Sequence, residues 1–459
     1  MIKKISKMLV WVSVFFLILF LSLYGPTDLN LTLKNCYTHL CINLFLIYGL
    51  WSIILLRKKI DILEPLVLVT VIHILLFEIV PIICLYTDRI LFFGKNVWGG
   101  CVKGTYISTL GYFVLVVAYL VNIKRKSTTL SKKDDVIHNK RNCLVCAYVM
   151  WTVAFICNVI VIVGYGLNLK YLITGGQAVL EQEASSKSAY GFLVIIAYAM
   201  IPAFLYIFEL GKNKIIKCIL FYLMFMSFYV RGFRFIMVAV LMAPFIYWYL
   251  KKNKRPNLFL IMAVLVALSI FSGYVQMARE SIRLGTGGGM DLTHVFNVDN
   301  VSEVLIANFE IFKTYYAIVE YFSEGFKFTL GAEILLYTVI LFVPRAIWPA
   351  KPQPPIYEVL SRTVNEQARE SGTAFPYMGE YFFEFGTIGV CTFSFVLGRL
   401  LKRLKSCLSA RNVHSHILYA SVYPLLLQVL IRGYTPTNFY MIVAVVLPII
   451  FMEKIVSRE

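Results

Sequence analysis

Long apolar runs recur along the chain and are separated by short polar segments rich in Lys and Arg. Most of the runs approach the ~20 residues with which an α-helix crosses a bilayer. They predict about twelve transmembrane helices, at about 8–24, 39–56, 64–86, 105–121, 142–164, 189–210, two within 217–250, 257–274, 387–401, 416–431 and 438–452. A membrane β-barrel would instead alternate over ~10-residue strands, so we predict an all-α polytopic membrane protein.

Two further segments decide the number of spans. Residues 304–322 are apolar but carry three charged residues, and residues 334–343 form a short apolar run. We interpret both as interfacial or re-entrant helices, while counting them as spans would give fourteen. Either count places one large extracytoplasmic loop region, residues 275–386, inside a single membrane domain that covers residues 1–459.

The charge pattern orients the predicted bundle. The chain has 44 Lys and Arg against 25 Asp and Glu, a net charge of +19, yet only 15% of its residues are charged and 59% are hydrophobic. With the spans above, 27 of the 44 basic residues lie in short loops on one face. This positive-inside bias places both termini in the cytoplasm and explains the net charge without nucleic acid as a partner. No predicted cytoplasmic loop exceeds about twenty residues, which leaves no room for a nucleotide-binding domain.

Cysteine and metal-ligand patterns are sparse. Cys143 and Cys146 form a CxxC without a second ligand pair, so we predict neither a metal site nor a redox centre there. Cys36 and Cys101 both fall on the predicted outer side, where the sequence leaves a disulfide between them open. No histidine spacing indicates a metal site, and we predict no cofactor.

The longest segment that is neither a span nor a short loop is 341–386. Five prolines between Pro344 and Pro355 stiffen its first half around Arg345, Trp348 and Lys351. Polar residues 356–376 follow, and we expect them to be mobile and to shape an acceptor side. The stiff backbone would hold Arg345 and Lys351 in place for an anionic ligand at little entropic cost.

Other arginines also fall on the predicted outer side, against the positive-inside rule. They include two pairs at helical spacing and one residue at a late hairpin tip: Arg231 with Arg234, Arg279 with Arg283, and Arg432. Guanidinium groups bind phosphate through paired, charge-assisted hydrogen bonds. The pattern therefore predicts a site for an anionic substrate such as a pyrophosphate, with plain interfacial snorkelling as the alternative.

Two carboxylates enter the tenth predicted span. Glu380 and Glu384 lie one helical turn apart, so they share a face in aromatic surroundings. One interpretation is a helix N-terminus stabilised by favourable dipole contacts. The other is a general base, in which one of the two accepts a proton from a sugar hydroxyl.

Several of these motifs resemble a known family. Pro344-Arg345-Ala346-Ile347-Trp348-Pro349-Ala350-Lys351-Pro352, followed by Gly379-Glu380-Tyr381, is similar to the bacterial O-antigen and oligosaccharide repeat-unit polymerases of the Wzy type. The resemblance implies a GT-C-like glycosyltransferase of the bacterial cytoplasmic membrane. It would transfer a growing glycan from undecaprenyl pyrophosphate to the next lipid-linked repeat unit on the outer face. Its implied partners are that lipid-linked oligosaccharide, membrane lipids, a chain-length regulator and a flippase of the same pathway.

With this reaction in view, we predict Glu380 and Arg345 as catalytic residues. The predicted pyrophosphate- and glycan-binding residues are Arg231, Arg234, Arg279, Arg283, Trp348, Lys351, Glu384 and Arg432. A pyrophosphate leaving group needs charge stabilisation more than protonation, which arginines supply. Two alternatives stay open: a ligase that moves a finished glycan, and a flippase or transporter of the lipid-linked oligosaccharide.

Overall fold

A computed structural model describes residues 30–57, 60–121, 139–164, 191–230, 234–256, 306, 309–325, 328–343, 347–370, 373–408, 410 and 412–456. These residues are helical except for loops and one hairpin of β1 (Leu91–Phe92) with β2 (Lys95–Asn96). The long helices are α1 (Leu31–Arg57), α2 (Pro65–Tyr86, with a π-helical segment Leu75–Ile79), α3 (Cys101–Leu120), α4 (Lys140–Gly164), α5 (Leu193–Leu210), α6 (Lys214–Tyr229) and α7 (Arg234–Lys251). After them come α8 (Phe312–Ser323), α9 (Ala332–Leu341, π-helical at first), α10 (Pro355–Thr363), α11 (Glu366–Glu370), α12 (Tyr377–Leu408), α13 (Val413–Ile431) and α14 (Thr435–Phe451).

The described helices agree with an all-α polytopic membrane protein. Eight of them, α1 to α5 and α12 to α14, are long and apolar enough to cross a membrane. Helices α6 and α7, at 16 and 18 residues, coincide with the two short spans predicted within 217–250. The predicted spans 8–24 and 257–274 lie outside the described residues. The total of twelve spans therefore stays a prediction.

A break within α12 coincides with the predicted start of the tenth span. We expected that span from about residue 387, and α12 begins at Tyr377, but the non-helical backbone angles of Phe385 and Gly386 divide it. The part after the break agrees with the predicted start. The part before it is a helix in the predicted loop region, where the carboxylates of Glu380 and Glu384 are buried and accept hydrogen bonds from backbone N–H groups.

The two segments that decided between twelve and fourteen spans form short helices. Helix α8 has 12 residues, and α9 runs only from Ala332 to Leu341. Both fall short of the ~20 residues of a span, in line with re-entrant or interfacial helices. Helix α8 packs inside the protein, where Tyr315 donates a hydrogen bond to the Gly104 carbonyl at 2.9 Å.

Residues 356–376 differ from the mobile segment that we expected. The structure folds most of them into α10 and α11, because Ile356, Val359 and Leu360 give α10 a buried apolar face. The β-hairpin also holds them. Lys95 donates from Nζ to the Thr363 carbonyl at 2.7 Å, at the C-terminal end of α10.

The end of the bundle opposite the β-hairpin is named the basic end. Helices α3, α5, α7 and α12 end there. Three acids there are each paired with a base: Asp61 with Arg255, Glu64 with Lys405 at 2.7 Å, and Glu209 with Lys251 at 2.8 Å. Basic side chains also bind helix C-terminal carbonyls. Arg399 and Lys402 each donate to the Val121 carbonyl at 2.7 Å, just beyond α3. Cations near helix C-termini are favoured by the helix dipole.

Candidate active site

The first two turns of α12 carry the predicted carboxylates, and both side chains are fully buried. The helix is interrupted directly after them, at Phe385 and Gly386, where Gly386 has φ +61°. A Cβ at Gly386 would lie 2.9 Å from Cζ of Phe328, so both the backbone angle and the space favour glycine. The break separates the turns that bear Glu380 and Glu384 from the remainder of α12.

Glu380 holds the beginning of α14. Its Oε1 accepts a hydrogen bond from the Thr435 backbone N at 2.9 Å, and its Oε2 accepts from the Thr435 hydroxyl at 2.6 Å. Thr435 is the first residue of α14, whose N-terminal N–H groups have no partner within the helix. Both oxygens of this buried carboxylate are therefore occupied by one helix N-terminus.

Glu384 makes the equivalent contact with α9. Its Oε1 accepts from the backbone N of Glu333 at 2.8 Å, in the first turn of that helix. Two backbone bonds strengthen the junction, because Thr329 and Leu330 donate from N to the carbonyls of Phe383 and Glu384, each at 3.0 Å. The short helix that precedes the proline-rich turn is thus anchored on α12.

Glu333 extends the arrangement to a third helix. Its Oε2 accepts from the backbone N of Ile356 at 2.8 Å, in the first turn of α10. Burial raises the pKa of the Glu333 carboxyl, and the nearby Glu380 and Glu384 raise it further against the hydrogen bond from Ile356. Glu333, Glu380 and Glu384 are named the carboxylate triad. Each member caps the N-terminus of a different helix.

The sequence analysis did not single out Glu333. The signal that could have found it is a lone carboxylate, two residues after Gly331, in an otherwise apolar ten-residue helix. Within the described residues, Oε1 of Glu333 and Oε2 of Glu384 are buried without a hydrogen-bond partner. A buried carboxylate oxygen in this situation is costly unless it is protonated or bonded to a ligand.

Lys351 lies at the other end of α9. Its buried amino group donates to the carbonyls of Leu341 and Val343, each at 3.1 Å, and lies 5.7 Å from the ring centre of Tyr337. It therefore caps the C-terminus of α9 and closes the turn through Trp348, whose carbonyl accepts from the Lys351 backbone N at 3.1 Å. The Trp348 side chain is 40% exposed.

Arg432 lies at a hairpin tip that is fixed on the start of α12. The Gly433 N donates to the Phe375 carbonyl at 2.8 Å, and a Cβ on Gly433 would lie 2.4 Å from Cα of Tyr377. Only glycine allows the tip to approach that closely. The guanidinium carbon of Arg432 is 5.7 Å from the ring centre of Phe235, in the first turn of α7.

This contact brings two of the predicted arginine-bearing tips together, because α7 begins at Arg234. The backbone of Arg234 is described, but its side chain is not. Arg231, Arg279, Arg283 and Arg345 lie outside the described residues, so their roles stay predictions. Within the described part of the chain, no group of three or more His, Cys, Asp or Glu residues is arranged to hold a metal ion.

Comparison with known protein families gives a match over most of the chain. The model of the family described as O-antigen polysaccharide polymerase Wzy matches residues 8–459, nearly the whole chain. The chain belongs to this Wzy family. Comparison with curated proteins and with solved structures found no match. The GT-C-like fold therefore stays a prediction.

Membership confirms the resemblance noted in the sequence and defines the general activity. The Wzy chain is a multi-pass membrane protein of polysaccharide biosynthesis, and the family acts on lipid-linked oligosaccharide repeat units. The match spans the carboxylate triad and every predicted arginine alike. It therefore does not distinguish between them, and it assigns a role to none of them.

Proposed function

We propose that this Wzy chain polymerises undecaprenyl-pyrophosphate-linked repeat units at the outer face of the bacterial cytoplasmic membrane, with both termini in the cytoplasm. A hydroxyl of the incoming unit attacks the anomeric carbon of the growing glycan. The bond from that carbon to the pyrophosphate oxygen breaks, undecaprenyl pyrophosphate leaves, and the hydroxyl proton passes to a carboxylate. A chain-length regulator and a flippase of the same pathway are the proposed partners.

The observation that carries the proposal is the position of Arg432. Its tip is fixed against the start of α12, beside the first turn of α7, and Arg432 is three residues before Thr435, which Glu380 caps. A cation at this place, on the end predicted to face outward, suits an anionic headgroup that arrives from the outer leaflet. We assign pyrophosphate binding to Arg432 with Arg231, Arg234 and Arg345, and support from Arg279 and Arg283 on the same predicted side.

The contacts of the triad refine the predicted carboxylate roles. Because both oxygens of Glu380 are occupied by Thr435, we propose that Glu380 positions α14 and the arginine tip and is not the proton acceptor. Glu384 keeps one oxygen without a partner among the described residues, so we assign the proton to Glu384. Lys351 would act through the turn that it closes, by placing Arg345 and Trp348.

The test is reconstitution of the purified chain in liposomes with a lipid-linked repeat unit as the only substrate. The wild-type chain should produce a ladder of polymer lengths, and Arg345→Ala should reduce polymer at least 100-fold by loss of transition-state charge stabilisation. Arg362→Ala is the matched control, because Arg362 is an exposed arginine of the same loop region that pairs with Glu358. A full ladder from Arg345→Ala would refute the role of Arg345.

The same assay separates the alternatives. A ligase would need a finished glycan and a separate acceptor, so it would make no ladder from repeat units alone. A flippase would move the labelled lipid between leaflets without joining repeat units. Neither outcome is compatible with the proposed polymerase.

A further inference from the structure

Two cysteines from different helices meet at the end of the bundle predicted to face outward. Cys36 lies near the start of α1 and Cys101 is the first residue of α3. Both are fully buried, and their thiols lie close enough to interact. The structure holds them as thiols, and it brings together two residues that are far apart in the sequence.

A shared carbonyl fixes their relative position. The Trp98 carbonyl accepts a hydrogen bond from Sγ of Cys36 at 3.7 Å and another from the backbone N of Cys101. The Trp98 ring lies against Phe312 and Tyr316 of α8, with ring centres 5.9 and 5.7 Å apart. The Trp98 carbonyl therefore holds the Cys36 thiol beside Cys101, the first residue of α3, beneath α8.

We propose that Cys36 and Cys101 form a disulfide that joins α1 to α3 in the oxidising compartment outside the membrane. The oxidant would be a protein disulfide of the thiol-oxidase class. One thiolate attacks the oxidant's disulfide and forms a mixed disulfide, and the second thiolate then displaces the oxidant. The two electrons reduce the oxidant to a dithiol, and the two thiol protons are released.

Because α8 covers the pair, the bond must form while the chain folds, before α8 packs over Trp98. The CxxC pair Cys143 and Cys146 at the start of α4 gives an internal contrast. That pair lies at the predicted cytoplasmic end, where thiols stay reduced. The proposal rests on the predicted orientation of the bundle and is independent of the polymerase reaction.

Counting alkylated cysteines in the full-length chain tests the proposal. The chain is purified from bacterial membranes, denatured without reductant, labelled with N-ethylmaleimide and weighed intact. Of its ten cysteines, a disulfide protects two, so the wild-type chain should take about eight labels and about ten after reduction. The variant Cys36→Ser should take about nine labels, one more than the wild type, because it releases Cys101. Cys143→Ser should take one label fewer than the wild type.

Labelling under denaturing conditions does not depend on whether a variant folds. The number of labels on the unreduced wild-type chain therefore tests the proposal without any variant. Ten labels on the unreduced wild type would overturn the proposal. A count of eight would also overturn it if peptide mapping joined any pair other than Cys36 and Cys101.

Discussion

The two ends of the bundle neutralise their glutamates in different ways. At the basic end, Glu64 and Glu209 face lysines and also accept hydrogen bonds from Tyr119 and Tyr247. In the carboxylate triad, the partners are backbone N–H groups at three helix N-termini. Among the described residues, no lysine or arginine forms an ion pair with the triad.

The difference teaches what each glutamate is for. The ion pair of Glu209 with the half-exposed Lys251 adds little stability, roughly 0–1 kcal/mol, because water and salt screen it. A buried carboxylate that caps a helix fixes both the direction and the position of that helix, and its loss leaves buried N–H groups unpaired. The triad thus joins α9, α10 and α14 to one another through α12, and these helices flank the proline-rich turn and the Arg432 tip.

Replacement of Glu380 should have the largest effect on stability. We expect Glu380→Ala to lower the free energy of unfolding by about 3 kcal/mol, because the Thr435 N–H loses its buried partner and a cavity opens. Glu380→Gln keeps an acceptor for that N–H, so its cost should stay near 1 kcal/mol. Thermal unfolding in detergent measures both variants.

The pair of variants also distinguishes the two predicted roles of Glu380. If Glu380 positions α14, Glu380→Gln should retain at least a tenth of the wild-type polymer yield, whereas Glu380→Ala should lose the yield because it loses the fold. If Glu380 is the general base, both variants should be inactive although Glu380→Gln remains folded. The second outcome would restore Glu380 as the proton acceptor.

A methyl group at the hairpin tip should have the next largest effect. In Gly433→Ala the new Cβ would lie 2.4 Å from backbone Cα of Tyr377, which cannot rotate away. We expect a loss of about 2 kcal/mol in unfolding free energy from overpacking, together with a loss of polymer. Gly379→Ala is the matched control, since its Cβ position meets only ordinary van der Waals contacts, the nearest being Cδ1 of Ile318 at 3.5 Å.

The pH dependence of stability gives a smaller and more specific effect. Burial raises the pKa of Glu333 to about 8, above its value in the unfolded chain. The neutral form therefore stabilises the fold at low pH, and this contribution is lost as the pH rises towards 8. Each pH unit in that window should cost up to about 1.4 kcal/mol. Glu333→Gln should reduce the slope of the unfolding temperature between pH 5 and pH 8, and an unchanged slope would contradict the assignment.

The smallest effect is expected at the basic end. Lys251→Ala removes a half-exposed partner of Glu209, which keeps its hydrogen bond from Tyr247 at 2.8 Å. We expect a change in unfolding free energy of about 0.5 kcal/mol and an unchanged polymer ladder. A loss as large as that of Glu380→Ala would remove the contrast between the two ends.

Much of the fold followed from the sequence, because the length of an apolar run is set by the membrane. The runs that predicted α2, α3, α4 and α5 match helices of the structure within a few residues. The shared face of Glu380 and Glu384 also followed, since helical spacing alone determines it. The twelve-residue length of α8 agrees with the choice of a re-entrant helix.

The roles of individual charges did not follow from the sequence. Lys351 was predicted to bind pyrophosphate, but its described contacts are the carbonyls that end α9. Pyrophosphate binding by Lys351 stays a prediction. A sequence shows where a charge is, but not which helix terminus the tertiary fold brings to it. For the same reason Glu333 went unnoticed, since its partner Ile356 lies beyond the proline-rich turn.

The bond from Glu380 to Thr435 also has a consequence for biosynthesis. Glu380 leaves the ribosome before Thr435 does, so the carboxylate has no partner until α14 has emerged. A chain truncated before α14 would retain the buried Glu380 carboxylate without its hydrogen-bond partner. We expect such a chain to be recognised as misfolded and degraded, which makes insertion of α14 a step on which the mature fold depends.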